Sequence, residues 1–433
     1  MTRTFQPAAA RGLPPAEPLA TGGGQPVRET LLPYARHEID ADDEAAVLAA
    51  LRSDWLTTGP RVAKFEEAFA AAVGARHAVA VSSGTAALHA AVHTLDLKPG
   101  DEVIVPALTF VATSNAVLYE QGVPVFADVD PDTLLMDPAH VATLVTPRTR
   151  AILGMDYAGQ PCDDGALRSI AARYNVPLLS DACHSLGASS GGRPVGTLAD
   201  LTAFSLHPAK AITAGEGGVV TTDDDRLAAR LRTFRNHGLS QDRQAREQAG
   251  SCHFDQVELG GNYRLNDIQC ALAESQLRKL PAWLARRRAI AERYSAAFAD
   301  MPSVRPLAVR AGMEHAWHLF VVRLPPECWT VDRDAVFAAL RAEGIGVQVH
   351  YRPAYLHTHY EQRFGVRRGL CPVAEAACEQ ILSLPLFPSM TDDDVDDVLA
   401  AVNKVAARFV DNSLRELTTD SRSESATLHE SER

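Results

Sequence analysis

HAVAVSSGTAALHAAVHTLDLKPGDEVIVPALTF, residues 77–110, carries the pattern on which the fold turns. Residues 77–83 form a short apolar run of the kind that makes a buried strand. Ser83, Gly84 and Thr85 are small, and the next ten residues continue as a helix. Pro99 and Gly100 turn the chain into a second strand, and an exit loop ends at Phe110. The same alternation extends in both directions. Residues 112–120 read as a helix, and 122–130, 150–156, 176–182, 201–207 and 217–222 as strands. Upstream, 38–50 begin a capped acidic helix, WLTTGP (55–60) is a turn, and 61–74 form a helix closed by Gly74. Short strands alternating with helical runs predict an α/β fold, with a parallel or mixed sheet covered by helices. Such sheets place their sites at strand ends. Ser82, Ser83, Asp156, Asp181 and residues 205–210 fall at those ends.

Beyond residue 261 the pattern turns strongly helical, as one or two long helices broken near Pro281. A smaller domain follows to about residue 408. It is expected to hold strands at 317–325 and 347–351, a helix at 333–344, and a last helix at 392–409 with acidic residues at its positive end. The organisation read from this is a flexible extension over 1–28, a large domain over 29–275, a helical link and small domain over 276–408, and a loose tail over 409–433.

Composition narrows the function. A chain of 433 residues suggests two packed domains, and 46% hydrophobic content fits a globular protein. A net charge of -12 argues against a general nucleic-acid or membrane-surface binder. No stretch is apolar enough to span a membrane, and the N-terminus lacks a signal-peptide pattern. The seven cysteines are scattered without a CxxC pair, so a reducing cytoplasmic setting is expected. His357 and His359 are close in sequence but lack carboxylate or cysteine partners, so no metal site is expected. No GxGxxG follows the first strand, which removes a Rossmann nucleotide reading.

The chain has five lysines. Lys64, Lys98, Lys279 and Lys404 each have an ordinary surface explanation. Lys210 lies after a strand in AFSLHPAKAITAGEGG. It can be a plain loop lysine, or the amine of a Schiff-base enzyme, which needs a nucleophile in a desolvated site. Ser205 is placed to donate to a phosphate, and Gly215, Gly217 and Gly218 permit close backbone approach. A pyridoxal phosphate site also needs a carboxylate against the ring nitrogen. Asp181, at the end of a predicted buried strand, fits that need, or else caps the next helix. Ser83, Gly84 and Thr85 open a helix where free N–H groups can meet an anion, although an ordinary cap has the same composition. Phe110 is placed either to lie flat on the ring or to pack.

With those residues in view, the chain resembles the DegT/DnrJ/EryC1/StrS group of sugar-nucleotide aminotransferases. The matching segments include WLTTGP, VSSGTAALH (81–89), DEVIVPALTFVATSNA (101–116), SDACHSLGA (180–188), FSLHPAKAITAGEGG (204–218), RNHG (235–238), GNYRLNDIQCALAESQL (261–277) and HYRP (350–353). The resemblance covers about residues 30–408. It implies the fold-type I architecture: a large domain with a mixed, mostly parallel seven-stranded sheet, plus a smaller C-terminal α+β domain. It implies that Lys210 carries the cofactor, Asp181 partners the pyridine nitrogen, and Phe110 stacks on the ring. Thr85, Ala86 and Ser205 match phosphate contacts. His184 stands where many relatives have Gln, near the ring hydroxyl. Asn262 would reach the cofactor of the neighbouring subunit, making a homodimer with shared active sites, and Arg264 would order that loop. The implied donor is L-glutamate and the implied acceptor a nucleotide-linked keto sugar. MDYAGQP (155–161), NDIQCAL and HYRPAYLHTHY (350–360) are most similar to members acting on UDP-linked 4-keto-6-deoxy-N-acetyl-hexoses in the pseudaminic acid pathway. Some relatives have His in place of the lysine and perform dehydration instead, so Lys210 favours transamination. Thr58, His350 and Tyr351 are expected on the substrate side, each with a packing alternative. Arg235 is expected to face an anionic group or to form a surface salt bridge. The rival class is a cofactor-binding protein without turnover.

Overall fold

The computed structural model describes residues 17–240 and 253–411. Its large sheet has seven strands: β1 (His77–Val81), β2 (Glu102–Pro106), β3 (Val123–Ala127), β4 (Thr149–Met155), β5 (Leu178–Asp181), β6 (Leu201–Ser205) and β7 (Gly218–Thr222). Their order is β1-β7-β6-β5-β4-β2-β3. β7 runs antiparallel to both its neighbours, and the other pairs are parallel. All five residues of β2 and of β7 are buried, because helices cover both faces. Alternate residues serve different cores. Val79, Val81 and Val220 join one cluster, while Ala78, Ala80 and Val219 join the other.

The helices are α1 (Ala41–Leu51), α2 (Pro60–Val73), α3 (Gly84–His93), α4 (Val111–Tyr119), α5 (Pro138–Leu144), α6 (Asp164–Tyr174), α7 (Asp225–Phe234), α8 (Asp267–Phe298), α9 (Arg333–Ala342), α10 (Thr358–Phe364), α11 (Pro372–Cys378) and α12 (Asp392–Phe409). α3 starts just past β1 and α4 just past β2, so both helix N-termini sit at the carboxyl edge of the sheet.

The small domain is built on an antiparallel sheet of β8 (Arg305–Pro306), β9 (Phe320–Arg323) and β10 (Ile381–Leu384). Phe298, Phe320, Val336 and Val398 form part of its core. The strand expected over 317–325 is the shorter β9. Three other expectations are corrected. First, α8 does not break at Pro281 but runs through it for 32 residues. One missing N–H costs an interior helix about 3 kcal/mol. Leu277 and Leu280 before the proline, and Arg287, Ile290 and Tyr294 after it, are buried and offset that cost. The expected domain boundary at 275/276 therefore falls inside one rod. Second, residues 347–351 form no regular strand. Only single bridges pair Ile345 with Leu32 and Gln348 with Ser383, because this backbone divides its pairing between two neighbours.

Third, residues 17–28 of the expected flexible extension are pinned to the small domain. Leu19 is buried in its core. The Glu343 carboxylate, fully buried, accepts N–H bonds from Ala20 at 2.8 Å and Val27 at 3.0 Å. It also pairs with Lys404 at 2.9 Å. Arg28 reaches Asp394 and Asp397 on α12. Residues 1–16, and the expected tail from 412, lie outside the described residues. Glu343→Ala would leave two part-buried N–H groups without their carboxylate and a largely buried ammonium with only the Gln25 carbonyl. It is expected to lower unfolding stability by about 3–5 kcal/mol, read by chemical denaturation. A loss under about 1 kcal/mol would mean that the strap contributes nothing.

Candidate active site

A cavity of about 390 Å³ opens at the carboxyl ends of β4, β5 and β6. The large domain lines it with Ser83, Thr85, Phe110, Asp181, His184, Ser205 and Lys210. The small domain adds His318, His350 and Tyr351, and the N-terminal segment adds Tyr34.

Asp181 is the last residue of β5 and is 3% exposed. No helix follows it, so the capping alternative fails. Thr113 Oγ1 donates to its Oδ2 at 2.7 Å, and the Cys183 N–H to its Oδ1 at 3.2 Å. Lys210 sits in the turn after β6, where its N–H is held by His207 O at 2.8 Å. Lys64, Lys279 and Lys404 form ion pairs, with Glu274, with Asp40 and Asp43, and with Glu343. Among the described residues the Lys210 ammonium has neither an ion-pair nor a hydrogen-bond partner. Burial pulls its pKa down, opposed by Cys183 and Asp181. A lysine so placed is readier than a surface lysine to act as a free amine.

The start of α3 lies against the end of β6. A Cβ on Gly84 would stand 2.7 Å from Ser205 Cβ and 2.9 Å from its Oγ, so only glycine fits. The first-turn N–H groups of a helix have no carbonyl of their own, and Ser83, Gly84 and Thr85 line the cavity beside Ser205. Thr85 and Ser205 line the cavity. Ala86 lies behind it, and its N–H is taken by the Ser83 Oγ at 3.0 Å.

Phe110 caps α4 and stays 54% exposed, an aromatic face left open at the cavity. His184 is buried, with Nε2 3.0 Å from Tyr351 Oη. Its Nδ1 has no hydrogen-bond partner among the described residues. Its ring lies 4.3 Å from that of His318. His350 is held by Ser383 Oγ at 2.8 Å, and its carbonyl accepts from the Tyr157 hydroxyl.

Other expected site residues lie elsewhere. Thr58, Arg235 and Arg264 line a separate cleft of about 600 Å³. Within one chain Thr58 is therefore not on the Lys210 cavity. Arg235 pairs with Glu66 and with Ala80 O, the salt-bridge alternative. Arg264 donates to Asn236 Oδ1 at 2.8 Å, and Asn262 bridges Asn236 through the backbone. Tyr34, His318 and Cys183 were not read as site residues from the sequence. Only the small second domain and the incoming N-terminal segment bring Tyr34 and His318 there.

The DegT/DnrJ/EryC1/StrS aminotransferase family model matches residues 37–403. The chain belongs to this family. Among solved structures, Spr1654 of Streptococcus pneumoniae, described as a sugar aminotransferase and solved in its PMP form, superposes with TM-score 0.82 at 30% identity, covering 87% of this chain and 99% of that one. Helicobacter pylori PseC, an aminotransferase involved in the biosynthesis of pseudoaminic acid, gives 0.81 at 31% identity, with 87% and 99% covered. DesI, solved in the presence of its TDP-sugar product, gives 0.81 at 34%, with 93% and 99% covered.

This family member is thus a pyridoxal phosphate-dependent aminotransferase of fold type I. The residues present suit the cofactor. One cavity holds a helix start that only glycine can form and that would take a phosphate, a buried carboxylate that would partner a ring nitrogen, and a lysine unpaired among the described residues. Among the described residues there is no cluster of three or more His, Cys, Asp or Glu that could hold a metal, and no helix long and apolar enough to cross a membrane.

The buried histidines set a pH dependence. Burial drives the pKa of His350 down to about 4 and of His315 to about 3, and it also lowers His184 and His318. An unfolded chain protonates histidine near about 6.5. Their stabilisation is complete above that value and is lost as pH falls through the folded values. Asp156 works the other way. Burial raises it to about 6, so its contribution is lost as pH rises toward that value. Four depressed histidines outweigh one acid. The cofactor-free protein is expected to show a lower urea midpoint at about pH 5 than at about pH 7.5, and a higher one would contradict the assignment.

Proposed function

We propose that the protein transfers the amino group of L-glutamate to a nucleotide-linked 4-keto-6-deoxy hexose, with Lys210 and Asp181 as the catalytic pair. The observation that carries this reading is an unpaired lysine in one cavity with a buried carboxylate and an anion-binding helix start. The cofactor, when bound, supplies an electrophilic carbon and an electron sink. Lys210 holds it, then with its freed Nζ takes up the α-proton of glutamate. It later delivers a proton to the carbon that bore the acceptor's keto oxygen. Asp181 keeps the proton on the ring nitrogen. Phe110 would cover one ring face, Thr85, Ala86 and Ser205 would hold the phosphate, and His184 would face the ring hydroxyl. His350 and Tyr351 contact substrate from the small-domain side.

Asn262 and Thr58 lie outside the cavity of their own chain, which supports their acting in a neighbouring subunit's site. The working unit is then a homodimer. The six described cysteines are all free, which supports a reducing cytoplasmic setting. PseC and DesI support a sugar acceptor. The segments 155–161 and 350–360 favour the substrate of a UDP-4-amino-4,6-dideoxy-N-acetyl-β-L-altrosamine transaminase.

An absorbance experiment tests this. L-glutamate should convert the cofactor band and release 2-oxoglutarate. A panel of nucleotide-linked keto sugars, with a keto-cyclitol, should then include one member that restores the band. Restoration by a different keto sugar moves the substrate and keeps the chemistry. A band that never responds to any amino donor would leave a cofactor-binding protein without turnover.

A further inference from the structure

Asp181 has no arginine, lysine or histidine within ion-pair distance among the described residues. A second buried acid stands close by, since the end of β4 pairs with the end of β5, Met155 opposite Asp181, and Asp156 follows. What reaches Asp181 instead is a pair of hydrogen-bond donors, the Thr113 hydroxyl and the Cys183 N–H. We propose that Thr113, backed by Thr109, is the positioning residue that fixes the Asp181 carboxylate at the cavity. This rests on the role given to Asp181 above.

Thr113 Oγ1 lies 2.7 Å from Asp181 Oδ2, Thr109 Oγ1 lies 2.6 Å from Thr113 Oγ1, and Met155 Sδ lies 2.9 Å from Thr109 Oγ1. Thr109, Thr113 and Met155 are each at most 2% exposed, so water does not compete. Each hydroxyl has one proton to give. With Asp181 ionised, Thr113 donates to the carboxylate and Thr109 donates to Thr113. Both protons then lie in strong O–H···O bonds. Run in reverse, the chain would leave Thr109 donating to a thioether, a weak acceptor. The Cys183 N–H donates to the other oxygen, Oδ1, at 3.2 Å. Donors therefore reach both oxygens, which favours the carboxylate. The sulfur at the far end gives the chain its direction. Thr113 does not line the cavity, so it acts only through Asp181.

The test uses the holoenzyme and its apoprotein, with Thr113→Val, Thr113→Ser and Thr109→Val. A hydrogen bond to a charged group is worth about 10- to 100-fold in an equilibrium. Thr113→Val is expected to lower kcat by about 10- to 100-fold with KM for L-glutamate within about 2-fold. It should weaken pyridoxal phosphate binding to the apoprotein by about 10-fold. The pH midpoint of the cofactor absorbance should rise by about one unit, because the ring nitrogen holds its proton less well. Thr113→Ser should restore all three readouts. Thr109→Val, which removes only the outer link, should give about a 3-fold loss and remains informative if Thr113→Val fails to fold. A Thr113→Val enzyme with unchanged kcat and absorbance midpoint overturns the proposal. So does one that loses thermal stability and activity while the midpoint stays put, since that marks a packing role. If Asp181→Asn itself costs nothing, the Asp181 reading has failed. If Asp181→Asn is crippled and Thr113→Val is not, only this inference has.

Discussion

Lys210→Ala is expected to lower kcat by about 10⁴-fold or more, while the protein still folds and still binds pyridoxal phosphate weakly. The residue has two jobs in the proposed mechanism, and both need its Nζ. It is the nucleophile that receives the cofactor, and it moves the proton between the donor and acceptor carbons. No second amine stands by. Lys64, Lys279 and Lys404 are engaged in ion pairs, and Lys98 is exposed beside a turn. Lys210→Arg should do no better, because a guanidinium keeps its proton and cannot attack a carbonyl. Folding should survive, since no hydrogen bond or ion pair of the Lys210 side chain is lost. The measurement is single-turnover conversion with L-glutamate, with cofactor retention followed separately. Activity within about 10-fold of the parent would remove Lys210 from the chemistry.

Asp181→Asn comes next, with an expected loss of about 10²- to 10⁴-fold in kcat. The replacement keeps the shape and the bond from Thr113 but cannot hold a proton on the ring nitrogen. The electron sink then weakens, so the step in which the α-carbon loses its proton should become rate-limiting. A primary isotope effect on α-deuterated glutamate should therefore grow in the variant. The neutral amide also removes one of the two negative neighbours, Asp181 and Asp164, of buried Asp156. Thermal stability should therefore hold or rise, which separates the lost activity from a damaged fold. An Asp181→Asn enzyme that transaminates at the parent rate would exclude the ring-nitrogen role.

Much of the large domain was legible because its strands are short, apolar and separated by turn signals. Six of the seven sheet strands fall within the runs read from residues 77–222, and β4 begins one residue before its run. Lys210, Asp181, Ser205 and Thr85 stood out because each sits at a strand exit or helix start, a local property. What was not legible depends on distant partners. Pro281 is a helix breaker by itself, and only burial of both flanking turns carries α8 through it. Residues 17–28 are rich in Gly and Pro, and partners more than three hundred residues away, Glu343 and the α12 carboxylates of Asp394 and Asp397, order them. Tyr34 and His318 reach the cavity through the docking of two domains, which no local pattern encodes.

The buried Glu343 has a practical consequence for anyone who trims the chain. The inherited family core spans residues 37–403. A fragment cut to those limits would discard Tyr34, the backbone that satisfies Glu343, and the Lys404 that neutralises it. It would expose an uncompensated carboxylate at the heart of the small domain and strip one wall from the cavity. The boundaries of shared ancestry and of mechanical integrity therefore differ in this protein, and the smallest autonomous unit begins upstream of Leu19 and ends beyond Lys404.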